Sequence, residues 1–145
     1  MSEVEKKGER ISKFIANAGY CSRREAERLI EEGKVLVNGK KIDTPVFFVD
    51  DQDEVRVGKT IIKTTGVVKV WAFYKPRGYL CTKQDPQGRE TIYDILPKAL
   101  KNALYIGRLD FNSEGLLLLT NNSDLKRKLE LPSNHFVRRY KVRIF

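Results

Sequence analysis

Asp110 stands in a polar stretch, Gly107-Arg108-Leu109-Asp110-Phe111-Asn112-Ser113-Glu114-Gly115, bounded by glycine at both ends. Apolar runs flank it, Leu104-Tyr105-Ile106 before and Leu116-Leu117-Leu118-Leu119 after, each of a length suited to a buried strand. A loop between two such strands can hold one carboxylate rigidly beside a cleft, where it can serve as a nucleophile. Arg108, two residues earlier, can bring a guanidinium near that carboxylate, keep it ionised, and offer donors to a phosphate or a base. The same spacing suits a structural Arg–Asp pair under a tight turn, and spacing alone favours that second use.

The elements around this loop follow from pattern. Residues 67–74 alternate and are rich in β-formers, and they end at Lys75-Pro76-Arg77-Gly78, whose Pro and Gly suit a sharp reversal. Residues 81–90 are polar and read as an exposed loop. Ser123 is placed to cap a helix over residues 124–130, and residues 138–145 read as a strand.

The first part of the chain has a different texture. Residues 1–9 form a charged tail, after which Ile11, Phe14, Ile15 and Ala18 fall at helical spacing up to Gly19. Ser22-Arg23-Arg24-Glu25 is a capping box, so a second helix is expected over residues 23–32, burying Ala26, Leu29 and Ile30 before Gly33. Val35-Leu36-Val37, Asn38-Gly39 and Lys40-Lys41-Ile42 read as a strand, a primed two-residue turn and a returning strand. Residues 46–49 and 55–57 add further strand. Residues 59–66 are the expected linker, with room for a last strand through Ile61 and Ile62.

The free N–H groups at the start of the second helix, with Arg23 and Arg24, make an anion site that Lys34 and the Asn38-Gly39 turn can extend. Arg28 is left out of that set, because Glu25, Glu31 and Glu32 lie within reach along the helix.

Charge is unevenly placed. Residues 1–66 carry 13 basic and 12 acidic side chains against 15 and 7 in residues 67–145, so the net charge of +9 divides as +1 and +8. Residues 126–143 hold seven basic side chains and one acidic one, interleaved with Phe136 and Tyr140, which suits phosphates and unstacked bases as well as it suits a plain solvated face. The 145 residues, 41% of them hydrophobic, can form one ordinary domain or two small ones. No apolar run approaches ~20 residues and no hydrophobic segment follows the charged start, which points to a cytoplasmic protein with no membrane association. Cys21, Cys81 and the single His135 have no metal-ligand spacing, so two free thiols and no metal are expected.

Two stretches carry a family likeness. Gly-Arg-Leu-Asp-x-x-Ser-x-Gly-Leu-Leu-Leu-Leu-Thr, from Gly107 to Thr120, resembles the catalytic signature of the ribosomal-RNA pseudouridine synthases related to the small-subunit enzyme, with Ser113 where Thr is usual. The stretch from Ala18 to Gly39 is similar to the S-four RNA-binding domain. The likeness reverses the order of the two uses of Asp110. It implies an α+β protein: an S-four domain of two helices and short antiparallel strands over residues 10–58, then part of a catalytic domain over residues 67–145 with a mixed, mainly antiparallel sheet. Thr91 to Leu96 resembles the family's short helical segment before Leu-Pro.

The reaction implied is isomerisation of a uridine to pseudouridine in ribosomal RNA, with large-subunit RNA preferred, by base flipping and without a cofactor. Asp110 would be the carboxylate, attacking either the anomeric carbon or the base, and Arg108 would fill the space the base vacates. Tyr140, in Arg138-Arg139-Tyr140, stands at the family's basic–x–Tyr element and would stack on the flipped base and exchange a proton. Lys75, Arg77, Arg138 and Arg139 join Arg23, Arg24, Lys34 and Asn38 as expected RNA contacts. Ribosomal RNA is the one partner implied, and a monomer is expected. Leu131-Pro132-Ser133 stands where His-Pro-Ser is common, and the family's later Gly-basic-x-x-Gln segment has no counterpart in residues 121–145. The chain is therefore read as C-terminally truncated, and the alternative is a non-catalytic RNA-binding protein working through its S-four domain.

Overall fold

A computed structural model describes residues 8–63 and 66–145. The first seven residues of the expected charged tail, and Thr64 and Thr65 of the expected linker, lie outside the described residues. The fold is α+β with antiparallel sheets, in two compact units: residues through Lys69 together with Leu96–Ala103, and Val70–Ile95 together with Leu104–Phe145.

In the first unit a short strand β1 (Glu9–Arg10) leads into helix α1 (Ile11–Asn17), and α2 (Arg23–Glu31) follows across a tight corner. Gly19, at φ +79, makes that corner because the left-handed region admits glycine without a Cβ clash. The Ser22 side chain accepts from the Glu25 N–H at 3.2 Å, as the capping box requires. Past the end of α2 the chain turns through Gly33 into β2 (Val35–Val37), and Asn38 and Gly39, both at positive φ, reverse it into β3 (Lys40–Ile42).

Strand β4 (Phe48–Val49) pairs with β1, whereas β5 (Val55–Val57) and β6 (Thr60–Ile62) complete a four-stranded antiparallel sheet in the order β3-β2-β5-β6. The segment expected as a linker thus begins with the strand that Ile61 and Ile62 allowed. Alternation sends Val35, Val37, Val55, Val57, Ile42 and Ile62 inward against Ile11, Phe14, Ile15, Ala26 and Ile30, and these residues form one buried core. Ala18 and Leu29, also expected inside, pack at its margin half-buried. Within this unit the Asn102 side chain donates to the Gly19 carbonyl, so Leu96–Ala103, far along the chain, is tied to the corner between α1 and α2.

The second unit is a three-stranded antiparallel sheet in the order β7-β9-β8, formed by β7 (Val70–Lys75), β8 (Leu104–Ile106) and β9 (Gly115–Thr120). Its register sets Lys75 opposite Gly115, Phe73 opposite Leu117 and Trp71 opposite Leu119. Leu117 and Leu119 are buried, as are Ile92 and Tyr93 of the short helix α3 (Ile92–Ile95). Helix α4 (Ser123–Glu130) lies against β8 and starts one residue earlier than expected: its cap is Asn122, whose side chain accepts from the Leu125 N–H at 2.8 Å. Residues 138–145, expected as a strand, have no regular structure and are exposed. No strand among the described residues offers them a ladder, and alternation of β-formers alone does not satisfy backbone groups.

Candidate active-site loop and RNA contacts

Residues 107–114 join β8 to β9, so the two apolar runs do become adjacent strands with the polar stretch between them. Gly107, at φ +71, turns the chain out of β8. The Ser113 N–H donates to the Asp110 carbonyl at 2.9 Å and closes a turn with Asp110 at its first position. The Asp110 side chain is exposed, and so is that of Arg108. Neither has an ion-pair partner among the described residues, so the structural Arg–Asp pair that the spacing allowed is not formed.

The loop's backbone is held from the segment just after β7. The Lys75 ammonium donates to the carbonyls of Pro76 at 3.0 Å, Asp110 at 3.0 Å and Ser113 at 2.7 Å. The Gly78 N–H donates to the Phe111 carbonyl at 2.8 Å, and the Cys81 thiol to that of Leu109 at 3.5 Å. Lys75-Pro76-Arg77-Gly78 and Cys81 therefore cradle the loop by its carbonyls. Lys75 is 0% exposed, which corrects its assignment to RNA: a fully buried ammonium bonded to three carbonyls has no donor left for a phosphate. Burial pulls its pKa down, and the neighbouring Cys81 and Asp110 charges work against that fall. Gly78 and Cys81 were not singled out from the sequence for this role, and no local pattern marks a carbonyl contact to residues so far along the chain.

Arg77 is exposed, with its guanidinium 3.7 Å from the Glu114 carboxylate, which also accepts from the Tyr74 hydroxyl at 2.7 Å. That bond raises the Tyr74 pKa. Arg138, distant in sequence, lies against Gly107, so the Arg138-Arg139-Tyr140 element reaches the start of the Asp110 loop. Arg139 is exposed, and Tyr140 is 63% exposed within the irregular segment rather than on the expected strand. Among the described residues no hydrogen bond or ion pair joins Tyr140 to Asp110.

The expected anion site in the first unit is partly engaged by acids. Arg23 stands 3.9 Å from Glu27 and Lys34 2.6 Å from Glu32, both pairs exposed, whereas Arg24 has no ion-pair partner among the described residues. Arg28 binds Glu25 at 2.5 Å and Glu32 at 3.8 Å, as its position on the helix indicated. Asn38, exposed at its turn, is also engaged within the fold: its amide donates to Asp53 at 2.8 Å and its side-chain oxygen accepts from the Glu54 N–H at 2.9 Å, which ties two turns together. Among the described residues no cluster of three or more His, Cys, Asp and Glu is placed to hold a metal, and no helix is long and apolar enough to cross a membrane.

Comparison with known proteins gives this geometry a family. Residues 9–63 match the S4 domain, and residues 69–145 match the family described as RNA pseudouridylate synthase. An "Uncharacterized RNA pseudouridine synthase" of Rickettsia felis is 47% identical over 137 residues, covering 94% of this chain and 59% of its own length. The "Ribosomal large subunit pseudouridine synthase B" of Vibrio cholerae is 42% identical over 142 residues, covering 94% of this chain and 44% of its own. A solved structure described as a pseudouridylate synthase is 26% identical, with a TM-score of 0.46, over 87% of this chain and 54% of that one. The chain thus spans about half the length of these relatives, and with more than half of its residues matching the family model it belongs to the RNA pseudouridylate synthases, with an S4 domain preceding the part that carries Asp110.

Proposed function

We propose that this chain carries the catalytic carboxylate of an enzyme that isomerises uridine to pseudouridine in ribosomal RNA, large-subunit RNA being the preferred substrate. The observation that carries this reading is the state of Asp110: an exposed side chain without an ion-pair partner among the described residues, on a loop whose backbone is bonded on several sides. The large-subunit name of the Vibrio cholerae relative supports the choice of RNA.

In the reaction the bond from the ribose to the uracil nitrogen breaks, the base turns, and a bond forms from the same ribose carbon to a ring carbon, which gives up its proton. No electrons are exchanged, so no cofactor is called for. Asp110 acts as the nucleophile, towards the anomeric carbon or the base. Arg108 occupies the gap left by the flipped uridine, and Tyr140 stacks on the base. Arg77, Arg138 and Arg139 hold phosphates near the loop, while Arg23, Arg24 and Lys34 dock the RNA on the S4 domain. The protein works as a monomer in the cytoplasm.

The test follows from the bond that forms. Ribosomal RNA labelled with tritium on the uracil carbon that joins the ribose should release its label to water when incubated with the chain. Label retained in full over many hours at micromolar protein would reject the activity.

A further inference from the structure

We propose that Lys75 is a positioning residue for the Asp110 loop, its buried ammonium fixing the turn from Asp110 to Ser113 by holding the carbonyls at both of its ends. This rests on the reading of Asp110 as the reacting carboxylate. An ammonium shut away from water is unfavourable unless its three N–H groups are all bonded, and here all three are, to Pro76, Asp110 and Ser113. An apolar side chain would fill the same volume without that desolvation penalty. What the ammonium adds is the link itself.

Two of its acceptors bracket the turn that the Ser113 N–H closes onto Asp110, and Lys75 also sits opposite Gly115, where the loop re-enters β9. The direction in which the Asp110 side chain leaves the backbone is thereby set by a residue that never meets the RNA. Arginine cannot replace it, since a planar fork does not converge three donors from a single nitrogen.

The test compares Lys75→Met with the wild-type chain, using Leu119→Ala as a control for general loosening of the same sheet. In Lys75→Met the Ser113 amide should exchange its hydrogen about tenfold faster while the amides paired between β7 and β9 keep their rates. Turnover should fall about 100-fold in kcat with RNA affinity within a few fold. Leu119→Ala should loosen the ladder amides and leave kcat per folded molecule near wild type. Should Lys75→Met not fold, Lys75→Gln keeps two N–H donors at lower desolvation cost and should show the same selective exchange to a smaller degree. Unchanged exchange at Ser113, or equal acceleration along the whole ladder, would overturn the proposal. A wild-type chain without turnover would strike the proposed function instead, and the exchange measurement would then judge the clamp by itself.

Discussion

The guanidinium of Arg138 lies against the main chain of Gly107, close enough that a Cβ built on the glycine would stand 2.9 Å from Nη1. Gly107 also has φ +71, where a side chain is strained whatever space surrounds it. Gly107→Ala should therefore destabilise the second unit by about 1–2 kcal/mol through backbone conformation and displace Arg138 in addition. In urea unfolding, Gly107→Ala combined with Arg138→Ala should recover the contact share of that loss and retain the backbone share. Strict additivity of the two substitutions would show that the contact has no energetic weight.

Binding to RNA should depend on the S4 cations through salt. Replacing Arg23, Arg24 and Lys34 with Ala should flatten the slope of log affinity against log salt by roughly two to three, as expected for three phosphate contacts. Arg24, without an acidic partner among the described residues, should contribute at least as much as Arg23, which shares its charge with Glu27. Asn38→Ala should leave the slope unchanged and lower stability instead, because it removes the bonds to Asp53 and Glu54. Titrations at several ionic strengths decide this, and an unchanged slope for the triple variant would move docking elsewhere.

The 81–90 loop should lose an internal support in acid. Asp85 accepts from the Arg89 backbone N–H at 2.8 Å and from its guanidinium at 3.0 and 3.1 Å, and these bonds hold its pKa below the ordinary 3.8. A carboxylate depressed in the folded state stabilises fully above its unfolded value and loses that contribution as pH falls through the folded one. The stability difference between the wild-type chain and Asp85→Asn should thus be constant from neutral pH down to about one unit above 3.8, decline as pH falls through 3.8, and vanish only below the lower pKa of the folded state. A difference that persists in strong acid would assign the effect to something other than this pair.

Much of the first unit was legible in the sequence because its signals are local. Ser22 three residues before Glu25, Asn38-Gly39 between the short runs Val35-Leu36-Val37 and Lys40-Lys41-Ile42, and the spacing of Ile11, Phe14 and Ile15 each act within a few residues. Residues 138–145 misled for the opposite reason: alternating Arg, Val and Ile resemble a strand, but a strand exists only with a partner, and partners are not local. Lys75 misled by chemistry, since a lysine beside Pro76 and Arg77 reads as a phosphate contact. A signal was present nonetheless. Trp71, Phe73 and Lys75 share one face of an alternating strand, and that parity sends Lys75 inward with two large aromatics. Asp110 was legible as a carboxylate in a loop, but its freedom from Arg108 was not, because two residues of spacing permit both arrangements.

Asp110→Asn changes one oxygen of a carboxylate to an amide nitrogen and leaves the loop's backbone bonds in place. Turnover of uridine to pseudouridine by this variant, measured beside its RNA affinity, should disappear while affinity stays within a few fold of wild type. Asp85→Asn, Asp94→Asn and Asp124→Asn should keep turning over, since Asp85 binds Arg89, Asp94 caps α3 by accepting from the Thr91 N–H at 2.7 Å, and Asp124 lies in the first turn of α4. Wild-type turnover by Asp110→Asn would contradict the assignment of the reacting carboxylate.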